Sequence, residues 1–336
     1  MNSSSIQTTV VGSYPIPDWL ALHPTSRSLQ DAIATVLKTQ ELAGIDVVAD
    51  GELYRFDVNH PETNGMIEYF VLPLENVRGE ITRADIQAFQ EKRGMGFRAK
   101  PAGVVEGEMG PGTLNLVRDF TRVRELTNRS VKFTVTGPHM LSKTLLDYHY
   151  NELPELAMGI ASILADQIRE IDADIVQIDE ANLPGAPDEA EWAAEAINLM
   201  LDAVPTTPAV HLCFGNYGGQ SIQQGTWEAL IEYMNALHVD HMVLEFARRG
   251  YGELEHFKEL RQEIRLGLGV IDIKDTEIES PETVAKRIET AVDIIGEGRI
   301  RFVNPDCGFW MLKRSIADGK IRSLVKGRDL FLGKNE

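Results

Sequence analysis

Two cysteines and one histidine are the residues of this chain best suited to metal chemistry. His211 and Cys213 stand two apart in the segment VHLC, and Cys307, the only other cysteine in the 336 residues, follows the segment VNPD. Residues two apart on a β-strand point to the same face, so His211 and Cys213 would present a nitrogen and a sulfur together. One imidazole, two thiolates and a carboxylate, for which Glu245 is the candidate, form a ligand set typical of zinc.

Each of these residues also has an ordinary structural interpretation. A buried cysteine most often behaves as a small hydrophobic residue. Glu245 has Arg248 and Arg249 nearby in the sequence as ion-pair partners. A histidine and a cysteine separated by one residue are a weaker signal than paired CxxC motifs. The zinc prediction therefore requires a fold that brings Cys307 to the other three side chains.

The elements that would position these residues are eight short apolar runs that alternate with amphipathic helical segments. The runs cover residues 8–13, 46–51, 132–137, 174–179, 208–213, 241–246, 266–271 and 300–305. The clearest helical segments cover 153–172, 187–203, 222–237 and 281–296. Strands that are apolar throughout and alternate with helices indicate a parallel sheet covered on both faces.

Eight such units predict an α/β fold, a (β/α)8 TIM barrel, with a doubly wound open sheet as the alternative. We predict one catalytic domain over residues 1–336. The residues in excess of the ~250 that a barrel needs fall mainly at 54–130, which we predict to be an insertion after the second strand that covers the barrel mouth.

The active site of such a barrel forms at the carboxyl ends of its strands. Polar and metal-capable residues stand at these ends throughout the sequence, namely Gly12, Ser13, Asp50, Glu52, Thr136, Asp179, Glu180, His211, Cys213, Glu245, Asp272 and Cys307. The sequence therefore predicts one rim that carries the metal ligands together with additional carboxylates.

Composition limits the partners and the compartment. The net charge of −18 disfavours nucleic acid and anionic membranes, which bind basic surfaces. The first ten residues, MNSSSIQTTV, do not read as a signal peptide, and no apolar run approaches the ~20 residues of a membrane span. Two cysteines give no disulfide framework, so we expect a reducing cytoplasm.

Eight ordered motifs resemble the catalytic barrel of cobalamin-independent methionine synthase: TTVVGSYP, ADGE, VTGP, VQIDE, HLC, VLE, GLGVIDI and NPDCG. The resemblance extends from residue 7 to the C-terminus, although it is thin across 54–130. It implies a single-barrel relative within the superfamily that also contains uroporphyrinogen decarboxylases. It further implies a zinc site made of His211, Cys213, Glu245 and Cys307.

The resemblance also implies a substrate and a reaction. Homocysteine would bind beside the zinc, with its ammonium group at Glu52 and Asp179 and its carboxylate at the backbone of Gly12 and Ser13. A coordinating zinc deprotonates a thiol, and the thiolate attacks a methyl group to give a thioether. Asp272, Lys274, His139 and Glu180 are the candidates for a proton donor or a supporting residue.

Two positions depart from the family. The tryptophan that stacks on the pterin in the family corresponds to Thr144, and the histidine after the DI of strand seven corresponds to Lys274. A tertiary amine leaves only when it is protonated, so both departures bear on folate as the methyl donor. The donor therefore stays open among a methyl-folate, a methyl-corrinoid, a sulfonium compound and an epoxide, and a methyl-corrinoid would imply a corrinoid protein as partner.

Three further functions stay open at this stage. An alkyltransferase to another thiol, resembling epoxyalkane:coenzyme M transferase, would need a basic clamp, for which Arg55, Arg248 and Arg249 are candidates. A decarboxylase-type lyase on the same fold would need no metal. A non-catalytic zinc protein would use the same ligands in a closed, structural site.

Overall fold

A computed structural model describes residues 6–57, 60, 63–92, 98–215 and 224–334. Its strands, in chain order, are β1 (Gln7–Thr8), β2 (Val47–Ala49), β3 (Val77–Arg78), β4 (Gly103–Val105), β5 (Ser130–Thr136), β6 (Leu145–Asp147), β7 (Ile175–Glu180), β8 (Thr207–Leu212), β9 (His241–Leu244), β10 (Arg265–Ile271) and β11 (Ile300–Pro305). Eight of them form one parallel sheet in the order β1-β11-β10-β9-β8-β7-β5-β2. Parallel bridges from Thr9 to Val47 and from Ser13 to Gly51 join its two ends.

Each of these eight strands overlaps one of the eight apolar runs of the sequence, although β1 shares only Thr8 with the run 8–13. The predicted (β/α)8 TIM barrel is therefore confirmed, and the open doubly wound sheet is excluded because its two edge strands would not meet. Consecutive barrel strands in the sequence are neighbours in the sheet, which is the connectivity that right-handed βα units produce.

Most of the helices surround the barrel. The helices are α1 (Asp18–Leu22), α2 (Ser26–Ala43), α3 (Glu68–Val71), α4 (Arg83–Glu91), α5 (Leu116–Arg124), α6 (Pro138–Lys143), α7 (Leu153–Ile168), α8 (Ala190–Leu201), α9 (Ile231–Ala236), α10 (Pro281–Ile295) and α11 (Arg314–Phe331). The helical segments predicted at 153–172, 187–203 and 281–296 contain α7, α8 and α10. The segment predicted at 222–237 contains a 3-10 turn and α9, and its residues 222 and 223 lie outside the described residues. None of the described helices has the length and apolar character of a membrane span.

Local signals explain where individual helices begin and end. α2 begins after Thr25, whose hydroxyl accepts the Ser28 N–H, and it ends at Gly44, which adopts the left-handed conformation. α10 follows Ser280, whose hydroxyl accepts the Thr283 N–H. Such caps satisfy backbone groups that have no partner within the helix.

The barrel interior changes character along its axis. Near the amino ends of the strands, an apolar cluster fills the barrel with Val47, Ile175, Ala209 and Phe302. Toward the carboxyl ends, neighbouring strands instead place polar residues side by side, because Thr136 pairs in register with Asp179 and Asp179 pairs with His211. The polar end of the barrel is the end at which the sequence predicts chemistry.

The chain between β2 and β5 carries an addition to the barrel. β3 runs antiparallel to β4, and β4 runs parallel to β6, which gives a separate three-stranded sheet. β6 follows β5 in the chain, so residues 145–147 complete a sheet whose other strands lie within 54–130. α5, at the end of that segment, packs against α2 and α7 as a member of the barrel's helical layer.

Candidate metal centre and substrate pocket

His211, Cys213 and Cys307 converge at the carboxyl ends of β8 and β11. One ring nitrogen of His211 and the two sulfur atoms all lie within 4.8 Å of one another. The two Sγ atoms are 4.0 Å apart and both thiols are free, since a disulfide would place them about 2.05 Å apart. A tetrahedral zinc with Zn–S distances near 2.3 Å spaces two sulfur ligands roughly 3.8 Å apart. The separation of the two sulfur atoms therefore suits zinc.

The orientation of the His211 ring leaves one nitrogen available. Nδ1 lies 2.9 Å from the Val243 carbonyl oxygen, so Nδ1 carries the proton and donates it. Nε2 is buried and has no hydrogen-bond partner among the described residues. A backbone carbonyl that fixes the tautomer in this way is a common support for a metal-ligating histidine. The unpartnered Nε2 is the atom that a metal would satisfy.

The electrostatics of the three side chains favour a bound cation. Burial lowers the pKa of His211, but the neighbouring Cys213 side chain and the charge of Asp179 raise it to about 9. The hydrogen bond from Cys307, and then burial, raise the pKa of Cys213 well above its usual value. The raised pKa of His211 means that its surroundings stabilise a positive charge at this position. A metal cation can take the place of the protons, because metal binding releases protons from such ligands.

Glu245, the predicted fourth ligand, is placed differently. Its Oε1 accepts the Phe214 N–H at 3.0 Å, and its Oε2 forms an ion pair with Lys274 Nζ at 3.0 Å. Both side chains of this ion pair are almost fully buried. The three-residue group within 4.8 Å does not include Glu245. The structure thus brings three of the four predicted ligands together and holds the fourth on Lys274.

Asp306 positions two of the predicted ligands, and sequence reasoning did not single it out. Its carboxylate accepts the backbone N–H groups of residues 246 and 247 at 2.9 Å and of Arg248 at 3.0 Å. Burial, and then the charge of Glu245, raise the pKa of Asp306 to about 7. Asp306 directly precedes Cys307, so these hydrogen bonds hold the segment after Glu245 next to Cys307. Its place inside the NPDCG motif is the signal that would have identified it.

Glu52 lies beside Gly12, where the segments after β1 and β2 close the barrel. Its backbone is left-handed, with φ of 58°, which is uncommon for a residue with a Cβ and fixes the direction of the side chain. Its Oε1 accepts the Thr134 hydroxyl at 2.6 Å, and its Oε2 lies 3.3 Å from an Arg55 guanidinium nitrogen. A Cβ on Gly12 would lie 2.2 Å from Glu52 Oε1, so only glycine permits this approach.

Ser13 connects the segment of Glu52 to the segment that follows Cys307. Ser13 bridges to Gly51, and its carbonyl accepts the Phe309 N–H at 2.9 Å. The predicted carboxylate-binding turn of Gly12 and Ser13 is therefore held on one side by the Glu52 segment and on the other by the segment that carries Cys307.

Asp179 lies between the metal centre and Glu52. The side chain is buried and accepts a hydrogen bond from Gln177 Nε2 at 2.7 Å. Burial raises the pKa of Asp179 to about 6, with His211 lowering it and Glu52 raising it again. Because Asp179 pairs in register with His211 and only β5 separates its strand from β2, the predicted ammonium-binding pair of Glu52 and Asp179 borders the candidate ligands.

The four candidates for a proton donor or supporting role divide into two groups. Lys274 Nζ contacts Glu245, and the Lys274 N–H donates to Asp272 Oδ1 at 2.8 Å, so this pair borders the metal centre. His139 Nδ1 lies 3.3 Å from Glu180, and its Nε2 lies 2.6 Å from Glu189. Among the described residues, the side chains of His139 and Glu180 form hydrogen bonds with each other, with Glu189 and with the backbone N–H groups of Met140 and Asn182, but with no candidate metal ligand.

Thr144, which replaces the family's pterin-stacking tryptophan, is buried. Its hydroxyl donates to the Leu141 carbonyl at 2.7 Å, and its own carbonyl accepts the Ala102 N–H at 2.8 Å. The position therefore lies at the start of β4 and β6 in the small sheet and offers no aromatic surface to a ligand.

The three arginines proposed as a clamp for a sulfonate are all engaged. Arg55 pairs with Glu52 at 3.3 Å, Arg248 with Asp272 at 3.2 Å, and Arg249 with Glu253 at 2.7 Å. Each guanidinium thus already lies within ion-pair distance of a carboxylate.

Sequence comparison identifies the family of this chain. The profile of the family described as the cobalamin-independent synthase catalytic domain matches residues 6–328. A methionine synthase of Thermococcus kodakarensis is 31% identical over 97% of this chain and 93% of its own length. A methionine synthase of Sulfurisphaera tokodaii is 30% identical over 96% of this chain and 91% of its own length.

Structural comparison supports the fold. The chain resembles a B12-independent methionine synthase from Shewanella sp. W3-18-1, solved with selenomethionine, with a TM-score of 0.81, 23% identity and 98% of each chain covered. It also resembles a putative vitamin-B12-independent methionine synthase from Listeria monocytogenes, with a TM-score of 0.72, 18% identity and coverage of 97% and 98%.

Proposed function

This chain belongs to the family of the cobalamin-independent synthase catalytic domain, and we propose that it is a zinc-dependent methyltransferase that converts homocysteine to methionine. The observation that carries the proposal is the convergence of His211, Cys213 and Cys307 within 4.8 Å, next to the carboxylate of Asp179. Relatives named methionine synthase at 30 and 31% identity support the reaction class.

His211, Cys213 and Cys307 would hold the zinc, and Glu245 would complete the set after leaving Lys274. When bound, zinc supplies a positive charge that favours the thiolate form of the substrate, which is the nucleophilic form. A site with several anionic ligands keeps such a thiolate electron-rich. No covalent bond between the substrate and the chain is needed.

The pocket residues would bind the amino-acid part of homocysteine. Its ammonium group needs anionic partners, which Glu52, after β2, and Asp179, in β7, would supply from strands separated only by β5. Its carboxylate suits backbone N–H groups, which the turn of Gly12 and Ser13 supplies. Holding the amino acid at these points would keep its sulfur next to the metal centre and in one orientation.

The arginine contacts favour homocysteine over a sulfonate thiol. Coenzyme M carries a sulfonate and no amine, so it would need a free basic group and no paired carboxylates. Arg55, Arg248 and Arg249 are each paired with a carboxylate. The same contacts disfavour a decarboxylase that binds a polyanionic tetrapyrrole through arginines.

The methyl donor is either a methyl-folate or a methyl-corrinoid. A folate amine must be protonated as it leaves, and Lys274, beside Glu245, is the candidate residue for that proton. A methyl-corrinoid needs no such proton and would be delivered by a corrinoid protein. The burial of Thr144 removes one folate contact of the family. The two unpaired thiols require a reducing compartment, for which we propose the cytoplasm.

Methionine formation by zinc-loaded and zinc-stripped protein tests the proposal. Homocysteine would be supplied with 5-methyltetrahydrofolate in one series and methylcobalamin in the other. We expect methionine with at least one donor, loss of activity on stripping, and recovery with zinc. A Cys307→Ser variant that loses zinc and still forms methionine would overturn the mechanism.

A further inference from the structure

Gln177 joins two parts of the pocket that belong to distant strands. It is fully buried in β7, two residues before Asp179, and therefore points to the same face. Its Nε2 donates to the Val11 carbonyl at 3.0 Å and to Asp179 Oδ1 at 2.7 Å. A single amide thus contacts both the residue before Gly12 and the carboxylate proposed to bind the substrate ammonium.

The connection crosses the barrel rather than following the sheet. β7 is not adjacent to β1, because β5 and β2 lie between them on the shorter path. The named part of β1 ends at Thr8, and its next pairings are the single bridges at Thr9 and Ser13. Residues 10–12 therefore have no strand ladder of their own among the described pairings.

A second buried side chain holds the same stretch. Lys132, in β5, has no exposed surface, and its Nζ donates to the Val10 carbonyl at 2.8 Å. Lys132 and Gln177 thus bind two successive carbonyls, those of Val10 and Val11, from inside the barrel. These two hydrogen bonds take the place of ladder bonds just before the turn of Gly12 and Ser13.

The chemistry of the bridging group matters. An amide donates a hydrogen bond to a carboxylate without neutralising it, so Asp179 keeps its charge for a substrate ammonium. A lysine or arginine at the same position would form an ion pair with Asp179 and compete with that ammonium. An apolar residue would leave both the Val11 carbonyl and Asp179 without this donor.

We propose that Gln177 is a positioning residue that sets the spacing between the carboxylate-binding turn of Gly12 and Ser13 and the ammonium-binding Asp179. It makes the pocket select thiols that carry both groups of an α-amino acid. Lys132 supports the same spacing through Val10. This role depends on the proposed use of homocysteine as substrate.

Binding of three thiols to the zinc-loaded protein tests this role without a methyl donor. Homocysteine engages both halves of the pocket, 4-sulfanylbutanoate lacks the amine, and 3-aminopropane-1-thiol lacks the carboxylate. Isothermal titration calorimetry would give the Kd of each for the wild-type protein, Gln177→Met and Lys132→Met. Zinc content and circular dichroism would confirm that each variant retains its metal and its fold.

We expect Gln177→Met to weaken homocysteine binding by roughly 10- to 100-fold and to change the other two Kd values by less than about 3-fold. Only a ligand that spans both halves depends on their spacing. Lys132→Met should show a smaller effect in the same direction, and it serves alone if Gln177→Met does not fold. Equal weakening for all three thiols, or unchanged homocysteine binding, would overturn the proposal.

The wild-type values separate this proposal from the proposed function. Wild-type protein that prefers homocysteine to both analogues supports homocysteine as substrate whatever the variants show. Wild-type protein that binds all three thiols equally would contradict the amino-acid pocket itself, and with it the role of Gln177.

Discussion

The Sγ atoms of Cys213 and Cys307 lie 4.0 Å apart although 94 residues separate them in the chain. β8 and β11 carry them to one end of the same barrel, where His211 joins them. The chain contains no other cysteine. Its two thiols thus meet at the rim where barrel enzymes place their chemistry.

Replacing His211 tests the metal centre, and the chain offers a matched control. We expect His211→Asn to lose zinc and to lower methyl transfer at least ~100-fold, because zinc then lacks its nitrogen ligand. His241 is also a buried histidine in a barrel strand whose Nε2 has no partner among the described residues, but it pairs with Asp240. Metal analysis of His241→Asn should show full zinc content. Equal zinc loss in both variants would mean that general destabilisation is the cause.

The ion pair of Glu245 and Lys274 gives a test of the fourth ligand. Lys274→Met leaves a buried carboxylate unpaired, so the metal-free variant should lose about 3–5 kcal/mol of unfolding free energy. Zinc should restore most of this loss if Glu245 becomes a ligand. The measurement is thermal unfolding of the variant with and without zinc.

A second buried lysine provides the control for that test. Lys320 is fully buried and pairs with Glu279 at 2.9 Å, and neither residue is a candidate ligand. Lys320→Met should be destabilised whether or not zinc is present. If zinc rescues both variants to the same extent, Glu245 does not bind the metal.

Gly12 tests the contact between the turn and Glu52. The added methyl of Gly12→Ala meets the end of the Glu52 side chain at 2.2 Å, so we expect the carboxylate to move and the fold to remain. Steady-state kinetics should show the KM for homocysteine raised by about 10- to 100-fold. Gly298→Ala, where a Cβ meets nothing within 4 Å, should leave the KM unchanged. An unchanged KM in Gly12→Ala would argue against Glu52 as a substrate contact.

His241 gives a prediction for stability against pH. Burial lowers the pKa of His241 to about 4, although the hydrogen bond to Asp240 raises it in part, and Lys132 and Arg301 lower it further. Below the ordinary pKa of ~6.5, the unfolded chain binds a proton at this residue that the folded chain refuses until about pH 4. His241 therefore reduces the unfolding free energy as the pH falls from ~6.5 to about 4.

The difference between wild type and His241→Asn isolates this contribution. Burial raises the pKa values of other groups, such as Asp50 and Asp179, to about 6. These carboxyl groups increase the unfolding free energy as the pH falls, but they are present in both proteins. Urea unfolding between pH 7 and 4.5 should show that the wild type loses stability relative to the variant. Parallel curves would contradict a neutral, buried His241.

The barrel was predictable because its strands are short apolar runs that alternate with helical segments, of which 153–172, 187–203, 222–237 and 281–296 are the clearest. β3, β4 and β6 were not predicted, since strands of two or three residues carry no period and form only by pairing with one another. β6 also lies after β5 in the chain but pairs with β4, and local sequence does not indicate a pairing between such distant segments.

The site was predictable in its residue types and less so in its contacts. His211, Cys213 and Cys307 follow from strand ends and from the family motifs. The ion pair of Glu245 with Lys274 joins residues 29 apart, and no local sequence pattern predicts it. The hydrogen bond of the Gln177 amide to Val11 likewise depends on the closed barrel, which brings two distant segments together.

Zinc-edge X-ray absorption of the zinc-loaded protein, with and without homocysteine, tests the central claim most directly. We predict a zinc shell with two sulfur ligands, from Cys213 and Cys307, and a third sulfur when homocysteine is added. Protein that binds no zinc, or a zinc shell without two sulfurs, would contradict the metal centre. A two-sulfur shell that homocysteine leaves unchanged would contradict homocysteine as the thiol that this site activates.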